Sequence, residues 1–331
     1  MKICIIGAGA IGGLLAHKIA SSGEDVSVIA RGAHLQAIHA NGLMLVENSN
    51  KSVVHLKASD SASNFEKQDL IILCVKAHQI QGIVYDLKSL IGHQTLILTA
   101  QNGIPWWYFF KYGGEYEGLC LESVDPGGII AKNLPIDQIL GSVVYPAAQV
   151  VSPGIICHIE GKRLSLSELD NKKTDRALKI SELLTKAGIK APVVSDIRAE
   201  IWTKLWGNMS FNPISALSHA SLEYICKFSP TRDLAKNMMK EAQSIAEKLG
   251  VSFLVSIEKR ILAAQSVGLH KTSMLQDIEA GRRTEADALL GSLIELGGIV
   301  GVTTPNIKAV YAIVSLLNQT IEQSKGMRKI I

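Results

Sequence analysis

The chain has 331 residues, 47% of them apolar and 19% charged, with a formal net charge of +4. This composition has room for two hydrophobic cores and excludes a disordered or low-complexity protein. The basic residues are scattered rather than striped, which suits small anionic ligands better than nucleic acid. Five cysteines, Cys4, Cys74, Cys120, Cys157 and Cys226, are odd in number and form no C-x-x-C pair. They read as reduced thiols of a cytoplasmic protein, with no metal-ligand set. The longest apolar run, Gly297 to Leu317, is interrupted by Thr303-Thr304-Pro305-Asn306 and Lys308, so no membrane span is expected.

Ile3 to Ile6 is a short apolar strand that runs into Gly7-Ala8-Gly9-Ala10-Ile11-Gly12 and then into a helical pattern. Strand, glycine turn and helix N-terminus in that order are the fingerprint of dinucleotide binding. Gly7 permits the turn, Gly9 lets the backbone approach a pyrophosphate, and Gly12 allows close helix packing. The glycines also break the apolar run too early for a secretory signal. A second strand, Asp25 to Ala30, ends at Arg31. A cation there offers a partner to a 2′-phosphate and argues for NADP(H), the alternative being a solvated loop arginine.

Weak strand signals at Leu43 to Val46 and Val53 to Leu56 precede two strong ones, Leu70 to Val75 and Thr95 to Ala100. Their continuous aliphatic character fits a parallel sheet covered on both faces. Lys76 follows the first and Gln101-Asn102-Gly103 the second. Ligands of open α/β sheets lie beyond the carboxyl ends of strands, so Lys76 and Asn102 are candidates for the nicotinamide and substrate end. A solvated lysine and a turn asparagine are the plain alternatives. The aromatic run Trp106 to Phe110 is assigned to packing, with a pocket wall beside Asn102 as the alternative. Ser142 to Val151, Ile155 to Ile159 and Arg163 to Leu166 are expected to form an antiparallel meander. A helix ending at Gly188 and a strand at Ala191 to Val194 follow.

Strand patterns then vanish. Helices are expected from Ser229 to Gly250, near Ser256 to Val267, from Ser273 to Leu296, and from Thr304 to Gln323. The fold class is therefore α/β: an N-terminal Rossmann-like domain with an antiparallel extension, 1–195, followed by an all-α C-terminal domain, 196–331. In the stretch Glu200 to Pro213, Lys204, Asn208 and Asn212 recur every four residues, placing an ammonium and two carboxamides on one helix face. Hydride delivery to a ketone builds negative charge on its oxygen, and Lys204 can meet that charge and supply the proton. A salt bridge to Glu200 is the competing role. Pro213 is expected to kink the helix beside Asn212. Ser273 with Gln276 fits a capping box, and Glu285 beside Arg282 and Arg283 fits a solvated ion pair.

Taken together, GAGAIGG, Arg31, CVKAHQ, QNG, KLWGNMSFNP and SMLQDIEAGRRTE resemble the ketopantoate reductase (2-dehydropantoate 2-reductase) family over nearly the full chain. The resemblance implies NADPH-dependent reduction of ketopantoate to pantoate, on the way to pantothenate and coenzyme A. It implies Lys204 as general acid and Glu285 as the glutamate on the substrate hydroxyl. Asn208, Asn212 and Ser273 are implied to hold the substrate, and Asn102 and Lys76 to flank nicotinamide and substrate. Gly7, Ala8, Gly9, Ala10, Ile11, Gly12 and Arg31 make up the implied cofactor set, with Lys76, Asn102 and Glu285 at its nicotinamide end. The expected partner is a small anionic 2-oxo acid, with a homodimer left open. Glu122 to Gly128 looks longer than the compact form of the family, which leaves room for another 2-oxo or hydroxy acid. A non-catalytic NADP(H) sensor is the remaining alternative.

Overall fold

In the computed structural model, which describes residues 1–253 and 255–324, the first strand is central to the larger sheet. The elements up to residue 196 are β1 (Lys2–Ile6), α1 (Ala10–Ser21), β2 (Asp25–Ile29), α2 (Gly32–Asn41), β3 (Leu43–Glu47), β4 (Asn50–Val54), β5 (Lys57–Ser59), β6 (Leu70–Leu73), β7 (Leu96–Thr99), α3 (Ile129–Asn133), β8 (Ile139–Val144), β9 (Ala147–Ser152), β10 (Ile155–Glu160), β11 (Leu164–Glu168) and α4 (Asp175–Lys186). Seven strands form the main sheet in the order β11-β8-β7-β6-β1-β2-β5. All neighbours run parallel except β11, which is antiparallel to β8. The chain moves outward in opposite directions from β1, so a switch point lies at the carboxyl ends of β1 and β6, where such sheets bind ligands. Ile3, Ile5, Leu70, Ile72 and Leu98 are fully buried, as strands covered on both faces require.

A second sheet, β4-β3-β10-β9, packs against α1. The contact is close enough that a Cβ on Gly13 would lie 2.7 Å from the Ile156 side chain. Lys18 of α1 binds Glu47 of β3 at 3.0 Å, and Glu47 also meets His158 of β10 at 2.7 Å. The helix that begins at the glycine turn is therefore braced on a second side.

Two expectations for this region are corrected. Ser142 to Val151 is not one strand: Pro146, which has no N–H to give a ladder, separates β8 in the main sheet from β9 in the second. The expected meander is thus divided between two sheets. Ala191 to Val194 forms no strand, only an isolated bridge, Leu166 to Val193: the Pro192 carbonyl accepts from Leu166 N–H and Val194 N–H donates back to Leu166, but Pro192 has no N–H of its own to extend a ladder. The aromatic run packs as expected. Trp106, Trp107, Tyr108 and Phe109 are buried, and the Trp107 indole donates to Thr99 Oγ1 at 2.9 Å.

The remaining helices are α5 (Ile197–Ser218), α6 (Leu222–Lys227), α7 (Ser229–Lys248), α8 (Ile257–Ser266), α9 (Ser273–Glu279), α10 (Ser292–Val300) and α11 (Pro305–Gln323). The chain divides into two compact units. One comprises 1–101, 107–120 and 128–197; the other comprises 102–106, 121–127 and the chain from Arg198 onward. Two short segments thus belong with the helices. Ile104 N–H donates to the Ala288 carbonyl at 2.9 Å, and the N–H groups of Glu122 and Ser123 donate to the Glu295 carboxylate of α10 at 2.8 and 2.9 Å.

The single helix expected from Ser273 to Leu296 is instead two. Gly281, at φ +64°, ends α9 in a left-handed turn. Helical structure resumes after Glu285 with a π-type segment, Asp287–Gly291, that leads into α10. Ser273 is not the cap of α9: Thr272 is, its hydroxyl accepting from Leu275 N–H at 3.2 Å. Helix α5 continues through Pro213 to Ser218.

Candidate active site

In the first unit, the candidate cofactor-binding residues gather at the glycine turn. Gly7 N–H and Ala8 N–H both donate to the Ile29 carbonyl, at 3.0 and 3.1 Å, which pins the turn to the end of β2. Gly7 has φ +95°, and a Cβ there would strike Val75 at 2.8 Å. A Cβ on Gly12 would overlap the Gly7 carbonyl oxygen and come within 2.9 Å of Cys74 Cβ, so this glycine is required by backbone packing. Gly9 differs: a Cβ on it would meet no protein atom within 4 Å. It is the N-cap of α1, without a side-chain cap and without an acidic residue in the first turn. Helix N-termini present N–H groups that lack intrahelical acceptors, together with the positive end of the dipole. The open space at Gly9 therefore fits a pyrophosphate. Ala10 and Ile11 open the helix, and exposed Arg31 follows β2 at the start of α2.

Lys76 follows β6 and caps a short 3-10 turn, its backbone N–H bonded to Gln79 Oε1 at 3.0 Å. Gln101 ties the ends of β6 and β7 together by donating to the carbonyls of Leu73 and Val75, at 2.7 and 3.1 Å. The glycine loop, Arg31 and Lys76 all lie in the first unit, Gly7 directly after β1, Arg31 two residues after β2 and Lys76 three residues after β6.

The helical unit by itself carries a polar relay. Lys204 Nζ donates to Asn102 Oδ1 at 2.6 Å, and Asn102 Nδ2 donates to Glu285 Oε2 at 3.1 Å. The amide can take only one orientation here, its oxygen toward the cation and its nitrogen toward the carboxylate. Burial pushes the Lys204 ammonium down from its usual value to about 8, while the charge of Glu285 pulls in the opposite direction. A lysine in that range is protonated at neutral pH and gives up its proton readily.

Three remote stretches of sequence meet in this relay. α5 delivers Lys204, the segment after β7 delivers Asn102, and the chain resuming after Gly281 delivers Glu285. Asn102 is held by the residue after it. Gly103 has φ +86° and lies so close to Ala288 that a Cβ would be 2.6 Å from the Ala288 carbonyl carbon. Sequence reasoning picked out Asn102 and passed over Gly103 as a turn residue; its place beside a second polar candidate was the available signal.

On the same face of α5, Asn212 is buried and its Nδ2 lies 3.5 Å from Ser273 Oγ at the start of α9. Asn208 stands between Lys204 and Asn212 and is half-buried. The structure therefore brings Lys204, Asn102 and Glu285 into one cluster, and Asn212 with Ser273 into another on the same helix. Glu285 is not a mere partner of its neighbours: Arg282 pairs with Asp277, and Arg283 with Asp287 and Glu322. Among the described residues no group of acidic, histidine and cysteine side chains could hold a metal, and no helix is long and apolar enough to cross a membrane.

Comparison with known proteins agrees with the geometry. Residues 3–107 match the family described as "Ketopantoate reductase PanE/ApbA", and 196–318 match "Ketopantoate reductase PanE/ApbA C terminal". A 2-dehydropantoate 2-reductase from Mesorhizobium japonicum is 50% identical over 96% of this chain and 98% of its own length. A crystal structure from Ralstonia solanacearum MolK2, ascribed to a ketopantoate reductase, superposes with a TM-score of 0.92 at 39% identity, covering 97% of this chain and 98% of the other. A D-mandelate dehydrogenase solved with NADH and anilino(oxo)acetate superposes with a TM-score of 0.84 at 26% identity, covering 97% and 100%.

Proposed function

Since the chain belongs to the ketopantoate reductase family and is an oxidoreductase of that type, we propose that it reduces ketopantoate to pantoate with NADPH, Lys204 acting as general acid. The observation that carries this reading is the Lys204–Asn102–Glu285 relay, a protonated amine of lowered pKa oriented by an amide that a carboxylate holds in place. The dinucleotide, when bound, supplies the hydride. The first-turn N–H groups of α1 and the open face at Gly9 hold its pyrophosphate, and Arg31 meets the 2′-phosphate that distinguishes NADPH from NADH. Lys76, beyond the carboxyl end of β6, is assigned to its nicotinamide end.

As the ketone gains hydride, its oxygen becomes an alkoxide. Lys204 stabilises that charge in a half-buried setting where a cation is worth more than in water, and then transfers a proton from Nζ. Asn102 keeps the Nζ–H vector fixed during the transfer. Glu285 accepts from the hydroxyl that the substrate carries, and Asn208, Asn212 and Ser273 supply neutral donors to its other oxygens. On this reading the product is pantoate, a 2-hydroxy acid, and the reaction belongs to pantothenate and coenzyme A synthesis.

The test is loss of NADPH absorbance with purified protein and ketopantoate. No ketopantoate-dependent loss would reject the proposal. Lys204→Ala should lower turnover at least about a hundredfold, the usual scale for a lost general acid. A second reading, reduction of another 2-oxo acid, is favoured by the D-mandelate dehydrogenase superposition. The anchoring of Glu122 and Ser123 to Glu295 also gives the helical unit a segment of its own there. A panel of 2-oxo acids separates the two: a kcat/KM higher for an aryl oxo acid than for ketopantoate would select the second.

A further inference from the structure

Resting on that reading, we propose that Tyr311 and Asn318 of α11 are positioning residues for the reduction: they grip the chain on either side of Glu285 and so hold its carboxylate on Asn102. The two side chains are seven residues apart and Glu322 stands four further on, so all three share one face of α11. Each meets the stretch that carries Glu285. Asn318, itself buried, accepts from the buried Thr284 N–H through Oδ1 at 2.9 Å. The Tyr311 hydroxyl donates to Asp287 Oδ1 at 2.8 Å, and Arg283 bridges Asp287 and Glu322 at 2.9 and 3.0 Å. Residues 283, 284 and 287 are thus tied to α11, while the Glu285 carboxylate between them takes Asn102 Nδ2.

The grip matters because the turn it holds departs from the α ladder. Ser292 N–H passes over the Ala288 carbonyl, four residues back, and bonds Asp287 instead. The Ala288 carbonyl accepts from Ile104 N–H at 2.9 Å and from the Ser292 hydroxyl at 2.8 Å. Leu289 N–H holds the Glu285 carbonyl at 3.1 Å. One π-type turn therefore holds the carboxylate just ahead of it and, in its middle, the acceptor that docks the Asn102 segment. Such turns are rare and occur mostly as single insertions in α-helices. Recovery of the α register would shift the preceding residues by one position, a rotation of about 100° about the axis. Glu285 would then leave Asn102. Tyr311 stands against that slip by spanning the turn. Its hydroxyl is on Asp287, and its ring lies against Gly291, where a Cβ would be 3.3 Å from the hydroxyl oxygen and 3.4 Å from Cζ.

Tyr311→Phe and Asn318→Ala change no charge, so the titration of Lys204 reports where Glu285 lies. The Glu285 charge raises the Lys204 pKa against the effect of burial, and a retreat of that carboxylate lowers it further. An NMR titration of the Lys204 side chain, identified by its absence in Lys204→Met, should show a midpoint lower by about 0.5 or more in each variant. That is a fraction of the roughly 1–3 pH units an adjacent opposite charge is worth. Glu285→Gln sets the full drop, and in its background Tyr311→Phe should add nothing, because the two residues act in series. With ketopantoate, Tyr311→Phe should lower kcat/KM about fivefold or more, the scale of one hydrogen bond, with the KM for NADPH unchanged. The alkaline limb of that profile should move down with the Lys204 midpoint. Should Asn318→Ala fail to fold, Tyr311→Phe, at a half-buried position, carries the comparison. An unchanged Lys204 midpoint in Tyr311→Phe, or a drop that persists in full in the Glu285→Gln background, would overturn the proposal. A wild-type protein without ketopantoate turnover defeats the proposed function alone, and the titration, which needs no substrate, still decides the role of α11.

Discussion

Gly103→Ala offers the sharpest test of how the relay is held. The residue has φ +86°, a conformation that costs a side chain about 1–3 kcal/mol when the surroundings enforce it. The added Cβ would stand 2.6 Å from the Ala288 carbonyl carbon and 2.8 Å from Ala288 Cβ. Carbon atoms pack at roughly 3.5–4.0 Å, so one backbone must retreat by about 1 Å. Neither neighbour is the far end of a flexible side chain, and overpacking of this kind costs about 1–3 kcal/mol. The combined loss is about 2–6 kcal/mol, read by urea denaturation. The same retreat moves the adjoining Asn102, and a displacement of about 1 Å at a positioning residue can lower turnover about a hundredfold. Steady-state kinetics should therefore show kcat falling by that order with the KM for NADPH little changed, because the glycine loop is built by other residues. A variant with activity within about threefold of wild type and less than about 1 kcal/mol of lost stability would refute the packing argument.

Other outcomes follow from the same geometry. The protonated form of Lys204 is the active one, and burial brings its pKa down to about 8, so kcat/KM should decline above about pH 8. In the pH–rate profile, Lys204→Arg should remove that alkaline limb along with most of the turnover; a limb that persists in the variant would assign it to another group. Below about pH 8 the folded state carries the full cost of the buried ammonium, and that cost is relieved as pH rises toward the unfolded value of about 10.4. The thermal midpoint of wild type relative to Lys204→Met should accordingly rise over that window. Gly9→Ala should fold normally yet bind NADPH at least about tenfold more weakly, because its Cβ meets no protein atom but would fill the pyrophosphate space. Equal affinity in a fluorescence titration would remove Gly9 from the site. Arg31→Ala should erode the preference for NADPH over NADH by about tenfold or more, the value of a lost charge-assisted bond, and an unchanged ratio of kcat/KM values would show Arg31 to be a solvated residue.

Much of the first unit was legible in the sequence because its signals are local. The glycine turn, Arg31 and Lys76 each stand at the end of an aliphatic run, and strand ends are where an open sheet binds ligands. The split at Tyr145-Pro146 was less visible: alternation on either side of the proline is consistent with one sheet or two, and only packing against α1 separates β8 from β9. In the helical unit, Lys204, Asn208 and Asn212 announced themselves by a four-residue spacing. The helix expected to run through Gly281 did not form because a left-handed glycine there outweighs the apolar periodicity on both sides. Ser273 was given the cap that Thr272 holds, a one-residue slip between two hydroxyls with equal capping chemistry. The pairing of Asn102 with Glu285, 183 residues apart, has no local signature at all.

The grouping of Asn102–Trp106 and Leu121–Gly127 with the helices has a practical corollary for anyone dissecting the gene. A cut near residue 196, where the strand-rich portion ends, would give a carboxy-terminal fragment with the amine and the carboxylate but without the amide that aligns them. Its Glu295 carboxylate would also lose the two backbone donors of Glu122 and Ser123. The complementary fragment would carry Gly103 and Ile104 with nothing to dock on. Fragment complementation, domain swapping between relatives and circular permutation should therefore transplant these two short inserts together with the helices, as if they were part of the same gene segment.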